Sequence, residues 1–222
     1  MENAVGKIID LDENLITVQV PTQHININNL SKRRYEKVTV VFHDGRYISA
    51  EQRRKAYVLI GAIADFTGDT VEGEKERLKW EFIKNRHTDI AKKLFSLSDC
   101  SMTTAKEFIS YTIDFMLEHD IGQGLQLSKH CDDIEKYVYS CLIHKKCAVC
   151  NKPAECHHWD AVGMGRDRSN ICHVGMKAIP LCREHHTIAH TKGKSWLIDE
   201  QHLMPIAIDE QIAKVYKLKK ER

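Results

Sequence analysis

The sequence predicts an α+β protein in which N-terminal β-hairpins and a helical domain precede a small domain rich in cysteine and histidine. Two stretches of alternating apolar residues come before residue 50, and helical periodicity dominates from there to residue 143. Five of the eight cysteines and six of the thirteen histidines lie between Cys147 and His190. We therefore expect two domains, residues 1–145 and residues 146–222.

The composition is that of a folded protein, with 42% hydrophobic and 29% charged residues. The N-terminus lacks the basic and apolar segments of a secretion signal, and no run of about 18 apolar residues indicates a membrane span. We therefore expect a cytoplasmic protein with no membrane partner. Thiols stay reduced in the cytoplasm, so the cysteines indicate metal ligands or buried small side chains rather than disulfides.

Two hairpins are predicted near the N-terminus. The first covers Val5 to Val20 around a polar break at residues 12–14, and the second covers Val38 to Ile48 around the turn signal at residues 44–45. In both stretches isoleucine and valine alternate with polar residues, a pattern typical of half-buried strands.

Four helices are predicted to follow the hairpins. Ser49 and Gln52 form a capping box ahead of apolar residues at helical spacing, which predicts a helix from about Ala50 to Phe66 that ends near Gly68. The other three predicted helices cover Val71–Asn85, the segment from a capping box at Thr104 and Glu107 to about His119, and Leu127–Ile143. Moderate helical periodicity also extends from Ile206 to Leu218.

Basic residues are clustered, although the formal net charge is only +2. Arg53, Arg54 and Lys55 fall on the first turns of the helix that starts near Ala50. Cations at the positive end of a helix dipole are mildly unfavourable, which favours their use by a phosphate ligand. These three residues are candidate DNA contacts, and a solvated helix face is the alternative interpretation.

Two pairs of metal-type residues stand in the cysteine-rich end, Cys147-x-x-Cys150 and Cys182-x-x-His185. Each pair can present two ligands from one tight turn, and the four together supply the donors of a tetrahedral structural Zn²⁺. The 31 residues between the pairs leave room for a functional insert. We therefore expect a structural zinc ion that stabilises this domain, with coincidental core cysteines as the alternative.

Four further histidines predict a second metal site. His157 and His158 are neighbours on an expected strand, so one side chain can bind a metal while the other addresses a water molecule. His186 and His190 are four residues apart and share one face of a helix predicted from Leu181 onwards. This spacing is suited to sharing a metal ion, and it indicates a catalytic site.

The segment from Cys147 to His190 contains CAVC, CHHWDAVGMGRDR and PLCREHHTIAH in that order. It resembles the HNH, or ββα-metal, endonucleases that carry a structural zinc, and more narrowly the HNH nucleases of phages of Gram-positive bacteria. The resemblance implies that His157 and His186 bind a catalytic divalent ion, with His190 as a third ligand. It also implies that His158 is the general base. The expected ion is Mg²⁺, Mn²⁺ or another divalent cation.

The reaction that this resemblance implies is hydrolysis of a DNA phosphodiester bond. His158, neutral near pH 7, would take a proton from the water that attacks phosphorus. The divalent ion would stabilise the departing 3′-oxygen. Arg166 and Arg168 could hold phosphate oxygens through their guanidinium groups, and a solvated loop is the alternative.

The sequence departs from the HNH pattern at one position. The middle asparagine of the family stands five residues before the second zinc pair, where this chain has Lys177. Asn170 and His173 lie nearby but out of register. That asparagine braces the loop behind the general base, so its absence puts full activity in question, and His173 or a backbone contact could substitute for it.

Residues from Ser49 to Gly122 resemble the phage Orf/NinB family of recombination mediators. The shared features are a basic helix start, a second helix that bears Trp80, and a serine- and threonine-rich turn into a helix that ends before glycine. The resemblance implies a homodimeric α+β fold that binds single-stranded DNA beside single-strand-binding protein and a recombinase.

Two hypotheses for the function result. In the first, the protein is a phage-type, metal-dependent HNH endonuclease fused to an Orf-like domain, and it acts on single-stranded or branched DNA in recombination or replication. In the second, it is a recombination mediator whose zinc module is a non-catalytic DNA clamp. The set of His157, His158 and His186 favours the enzyme, whereas Lys177 favours the binding protein.

Overall fold

The structure is a computed structural model that describes residues 7–20, 46–85, 95–159 and 171–219. It contains two compact units, Met1–His43 and Asp44–Arg222. Helices and small antiparallel sheets occur together, which confirms the predicted α+β class. The predicted domain boundary at residue 145 stays a prediction.

The first unit contains one of the two predicted hairpins. Strand β1 (Lys7–Asp12) pairs antiparallel with β2 (Leu15–Gln19), and Leu11 lies opposite Ile16. The turn between the strands falls at the predicted polar break, so this hairpin is confirmed. Most of the second predicted hairpin lies outside the described residues.

The second unit begins with helix α1 (Ala50–Thr67), within one residue of its predicted bounds. The Ser49 side chain accepts a hydrogen bond from the backbone N–H of Gln52, and the Gln52 side chain accepts one from the N–H of Ser49. Gly68 ends the helix with a φ of 76°, a conformation that glycine adopts at little cost. Helix α2 (Val71–Asn85) has its predicted bounds.

Helix α3 (Met102–Glu118) begins earlier than predicted. Its N-cap is Ser101, whose side chain accepts a hydrogen bond from the backbone N–H of Thr104 at 3.0 Å. The predicted cap at Thr104 is wrong because Ser101 already satisfies that N–H, so the helix includes Thr104.

Helix α4 (Ile134–Ile143) begins later than predicted. Asp133 caps it by accepting a hydrogen bond from the N–H of Lys136 at 3.1 Å. A short 3-10 turn at Leu127–Lys129 takes the place of the first part of the predicted helix. The apolar spacing continues across this turn, which is why periodicity alone did not reveal the break.

The remaining elements form a small antiparallel sheet with strand order β3-β4-β5, two α-helices and a π-helical turn at Trp196–Glu200. Their bounds are β3 (Glu155–His158), β4 (Lys177–Leu181), α5 (Arg183–Lys192), β5 (Ile206–Ala207) and α6 (Glu210–Val215). The periodicity predicted from residue 206 to 218 is only partly helical, because its first two residues pair with β4. Strand, strand and helix follow one another in β3, β4 and α5.

Helices and sheet of the second unit share one apolar core. Fully buried side chains from α3, α4 and β4, such as Phe108, Leu142 and Ile179, belong to the same cluster. Helix α4 packs against β4, so the sheet has a fixed place beside the helices. Within the described ranges, no helix is both long enough and apolar enough to span a bilayer.

Candidate functional site

The turn after α4 places Cys147 and Cys150 side by side. The backbone N–H of Cys147 donates to the carbonyl of Lys152 at 2.7 Å, and the N–H of Asn151 donates to the carbonyl of Cys147 at 2.8 Å. Asn151 has a φ of 60°, a left-handed conformation that asparagine tolerates better than most residues. The turn therefore presents two thiols from one short stretch of chain.

Cys182 and His185 approach this turn from the start of α5. Cys182 is the residue before the first helical position, and His185 lies in the first turn of the helix. The Nδ1 atom of His185 lies 3.2 Å from the Sγ atom of Cys182 and 3.5 Å from that of Cys147. The Sγ atoms of Cys150 and Cys182 are 3.7 Å apart. All four donor atoms lie within 4.8 Å of one another.

This four-donor cluster, Cys147, Cys150, Cys182 and His185, fits a zinc ion. Bond lengths of about 2.3 Å to sulfur and 2.0 to 2.1 Å to nitrogen, in tetrahedral geometry, separate two sulfur atoms by about 3.8 Å and a sulfur and a nitrogen by about 3.6 Å. The observed distances of 3.7 Å between the sulfur atoms of Cys150 and Cys182 and 3.5 Å between Cys147 Sγ and His185 Nδ1 agree with these values, whereas the 3.2 Å between Cys182 Sγ and His185 Nδ1 is shorter. The cluster could therefore hold a metal such as zinc.

Burial affects the protonation of Cys147 and His185 in the four-donor cluster. It raises the pKa of the Cys147 thiol to about 12 and lowers the pKa of His185. Without a cation the thiol therefore stays protonated, whereas the imidazole stays neutral and keeps a lone pair for a metal. Binding of a cation here would release protons from the thiols.

Tyr137 braces the four-donor cluster from α4. Its hydroxyl lies 2.9 Å from the carbonyl of Ala148 and 3.1 Å from Oδ1 of Asn151, and its side chain is buried. The amide of Asn151 also donates to the carbonyl of Leu125 at 2.8 Å. Sequence reasoning missed this brace, although the asparagine directly after Cys150 was a signal for a left-handed turn residue.

The structure brings His157, His186 and His190 together. His157 comes from β3, and the other two lie one turn apart on α5. Their ring centroids are 4.5 Å apart for His157 and His186, 5.1 Å for His157 and His190, and 4.8 Å for His186 and His190. One ring nitrogen from each lies within 4.8 Å of the others. We call this set the three-histidine cluster.

The three-histidine cluster is suited to bind a cation. Burial, followed by the charges of His186 and His190, lowers the pKa of His157 to about 4. Burial also lowers the pKa of His186, and the neighbouring His190 adds to this effect. Both imidazoles are therefore neutral at pH 7 and keep lone pairs for a metal. Three protein donors leave a coordination position for water or a substrate, as catalytic sites require.

His158 points away from the three-histidine cluster because successive side chains of a strand lie on opposite faces. Its Nε2 atom is 2.9 Å from Nδ1 of His173. His173 is buried and lies in the chain that leads into β4. Lys177, at the position of the expected asparagine, is an exposed β4 residue whose carbonyl accepts a hydrogen bond from the N–H of Trp159.

The predicted DNA contacts on α1 have partners within the fold. The guanidinium of Arg53 donates to the carbonyls of Leu97 and Ser98, at 2.9 and 2.7 Å. Lys55 forms an ion pair with Asp132 at 2.7 Å. Arg54 is exposed. The role of these residues in DNA binding stays a prediction, and Arg166, Arg168 and Asn170 lie outside the described residues.

A further cation lies near the three-histidine cluster. The Nζ atom of Lys194 is 5.1 Å from the centre of the Trp159 ring, and its charge contributes to the lowered pKa of His157. Sequence reasoning did not single out either side chain. Trp159 directly follows the histidine pair on the strand, so strand alternation could have placed it on the same face as His157.

The fold and the two clusters define a protein equipped to hold metal ions in one closed and one open site. The model of a family described as "Putative HNHc nuclease" matches residues 16–219. The match covers most of the chain, and the chain belongs to this family of HNH nucleases. Comparisons with curated proteins and with solved structures found no match.

Proposed function

We propose that this chain is a metal-dependent DNA endonuclease with a ββα-metal active site formed by β3, β4 and α5. The convergence of His157, His186 and His190, in a chain that belongs to an HNH nuclease family, carries the proposal, and His158 follows His157 on the opposite face of β3. The order strand, strand, helix supports the ββα-metal arrangement. Membership of a nuclease family supports DNA as the substrate.

In the proposed reaction His158 acts as the general base. Its neutral imidazole takes a proton from water, and the water oxygen forms a bond to phosphorus as the bond from phosphorus to the 3′-oxygen breaks. The 3′-oxygen leaves and takes a proton from solvent. His157, His186 and His190 would hold a divalent ion, and that ion would supply a Lewis acid to polarise a phosphate oxygen and stabilise the leaving oxygen.

The donor types support different ions at the two clusters. Thiolate sulfur with one imidazole is a usual set for structural Zn²⁺, so we propose zinc for the four-donor cluster. Imidazole nitrogen suits transition metals, while Mg²⁺ prefers oxygen ligands. Among the ions predicted for the three-histidine cluster, Mn²⁺ therefore fits better than Mg²⁺, and Ni²⁺ or Zn²⁺ fits better still.

The wider setting of the proposed enzyme is supported by the resemblance to the Orf/NinB family. On that basis we propose a homodimer that acts on single-stranded or branched DNA in phage recombination, in the cytoplasm of a bacterial host. Single-strand-binding protein and a recombinase are the proposed partners. Arg54, Arg166 and Arg168, together with Arg53 and Lys55, are the proposed contacts to DNA phosphates.

A second candidate function is favoured by Lys177. This lysine replaces the asparagine that braces the general base in the family pattern, so the histidine set could have lost its activity. The protein would then be a recombination mediator that binds single-stranded DNA and single-strand-binding protein. Its zinc module would be a non-catalytic clamp on the DNA.

Nicking assays distinguish the two functions. Purified protein is incubated with single-stranded, duplex and branched DNA in the presence of Mg²⁺, Mn²⁺, Ni²⁺ or Zn²⁺. The wild type should nick at least one substrate in a metal-dependent manner, and His158→Ala should lose roughly 100- to 10,000-fold in rate, because general base catalysis contributes about that much. The exposed His119 provides a matched control, and His119→Ala should nick like the wild type.

Two outcomes would contradict the proposal. Nicking by His158→Ala at the wild-type rate would show that His158 is not the general base. Binding of DNA by the wild type, with no nicking of any substrate under any of the four ions, would leave the mediator as the better candidate.

A further inference from the structure

The contact between His158 and His173 joins two imidazole rings by a single hydrogen bond. The Nε2 atom of His158 and the Nδ1 atom of His173 are 2.9 Å apart, a usual length for a hydrogen bond between nitrogens. Between two neutral imidazoles, one of these atoms carries a hydrogen and the other supplies a lone pair. The contact therefore fixes the tautomer of both rings, and the position of the heavy atoms alone does not tell which ring donates.

His173 is held firmly enough to fix a neighbouring ring. It is only 9% exposed, and its N–H donates to the carbonyl of Lys219 at 3.0 Å. Its carbonyl accepts the N–H of Met176, which closes a β-turn with Gly175 at a φ of 86°. Two further hydrogen bonds of 2.8 Å tie this turn to Ile208, next to β5.

We propose that His173 is the positioning residue of the general base, and that it accepts a hydrogen bond from Nε2–H of His158. This inference rests on the proposed role of His158. With its hydrogen on Nε2, His158 carries its lone pair on Nδ1, which takes the proton from water. The resulting imidazolium has a hydrogen on each nitrogen and still donates from Nε2 to the lone pair of His173, so His173 accepts in both states.

The same assignment accounts for Lys177. A lysine ammonium has three hydrogens and no acceptor, so it cannot receive a hydrogen bond from Nε2–H of His158. An asparagine has a carbonyl oxygen that can. His173 supplies this acceptor from the turn that precedes β4, four residues before Lys177 in the chain. His173 thus provides an acceptor that Lys177 cannot provide.

If the hydrogen bond between His173 and His158 had the opposite direction, a different result would be expected. If Nδ1–H of His173 donated to Nε2 of His158, the hydrogen of His158 would lie on Nδ1 and no lone pair would be available there. His173 would then oppose the activity of the base. Replacing it would raise the nicking rate or leave it unchanged.

Substitutions at residue 173 test the inference through activity. Asparagine places its Oδ1 where histidine has Nδ1, whereas alanine removes the acceptor and glutamine moves it one bond further. In single-turnover nicking with Mn²⁺, His173→Ala should lose about 10- to 100-fold in rate, by analogy with the loss of partners that orient metal-bound histidines. The Kd for DNA should not change. His173→Asn should recover most of the rate, and His173→Gln should not.

A double mutant separates positioning from simple structural support. In the background of His158→Ala, the change His173→Ala should have no further effect on the residual rate, because its only route of action has been removed. A further loss of tenfold in that background, or failure of His173→Asn to exceed His173→Ala, would overturn the inference.

Imidazole NMR tests the same point without nicking. In zinc-loaded protein labelled with ¹⁵N-histidine, at a pH where both rings are neutral, His158 should carry its hydrogen on Nε2 in the wild type and in His173→Asn. In His173→Ala it should become a mixture of tautomers. A hydrogen on Nδ1 in the wild type, or an unchanged spectrum in His173→Ala, would overturn the inference. A wild type that nicks no DNA would count against the proposed function. The tautomer of His158 would still show whether His173 accepts its hydrogen bond.

Discussion

The two metal-type clusters share helix α5 and differ in burial and donor number. His185 and His186 are neighbours on α5, yet His185 belongs to the four-donor cluster and His186 to the three-histidine cluster. The four-donor cluster contains two buried and two partly buried residues, whereas the three-histidine cluster contains two partly buried residues and one exposed residue. One turn of helix thus contributes to a closed site and to an open one.

This difference in donor number suits one cluster to a structural role and the other to a catalytic role. Four protein donors complete a tetrahedral ion and leave no place for a substrate, so the four-donor cluster is suited to hold the chain together. Three donors leave a position for water or phosphate, so the three-histidine cluster is suited to chemistry. Because α5 joins the two, a metal in the closed site would also set the position of His186.

The largest expected effect is loss of the closed site. Cys182→Ser should abolish tight zinc binding and unfold the chain around the two donor pairs, because binding of a structural zinc is worth about 10 to 16 kcal/mol in small zinc modules. Zinc per chain by elemental analysis and circular dichroism measure this. Cys156→Ser is the matched control, since Cys156 lies outside the donor set, and it should keep about one zinc per chain. Full zinc content in Cys182→Ser would refute the four-donor assignment.

A large but purely catalytic effect is expected at the open site. His157→Ala or His190→Ala should remove metal-dependent nicking, while the tightly bound zinc of the four-donor cluster and the folded spectrum stay those of the wild type. The reason is that, in the proposed function, the open site contributes ligands for the reaction and little to the core. If either variant lost its structural zinc as well, the two clusters would not be independent.

An intermediate effect should follow from loss of the brace. Tyr137→Phe removes the buried hydroxyl that contacts the carbonyl of Ala148 and Oδ1 of Asn151. This change should lower the free energy of unfolding by about 1 to 3 kcal/mol. Urea unfolding measures this difference. Tyr139→Phe is the matched control, because its hydroxyl contacts Asp209 and Gln211 at an exposed position. Equal losses in the two variants would argue against the brace.

The smallest expected effect concerns His144, a histidine outside both clusters whose pKa is shifted in the opposite direction to that of His157. A hydrogen bond with Asp114 raises the pKa of His144, whereas burial lowers the pKa of His157. His144 should therefore contribute stability fully below its unfolded pKa of about 6.5, and lose that contribution as the pH rises through its folded value. The pair should contribute no more than about 1 kcal/mol, since Asp114 is 45% exposed.

Urea unfolding of the wild type and His144→Gln at pH 6 and pH 8.5 measures this contribution. The advantage of the wild type should be larger at pH 6. An equal or larger advantage at pH 8.5 would contradict the direction of the pKa shift.

The sequence predicted the parts of the molecule that depend on local chemistry. The capping box of Ser49 and Gln52, the helix that carries His186 and His190, and the strand that carries the histidine pair all follow from short-range patterns. Ligand spacing likewise indicated which side chains would converge, because a Cys-x-x-Cys turn and one helical turn have known geometry.

What the sequence left open depends on the path of the chain in three dimensions. The contact of His173 with His158 depends on the turn at Gly175 and on its anchor at Ile208, which no local pattern encodes. Arg53 was expected to contact DNA from its place at a helix start, yet its guanidinium reaches two carbonyls that are more than 40 residues away. Long-range contacts of this kind are visible only in the fold.

The neighbouring variants His185→Ala and His186→Ala give the most direct test of two separate metal sites. Zinc per chain and metal-dependent nicking are measured for both, beside the wild type. We predict that His185→Ala loses its tightly bound zinc and its folded spectrum, whereas His186→Ala keeps about one zinc per chain and loses nicking. Loss of zinc from His186→Ala, or nicking by that variant at the wild-type rate, would contradict the account.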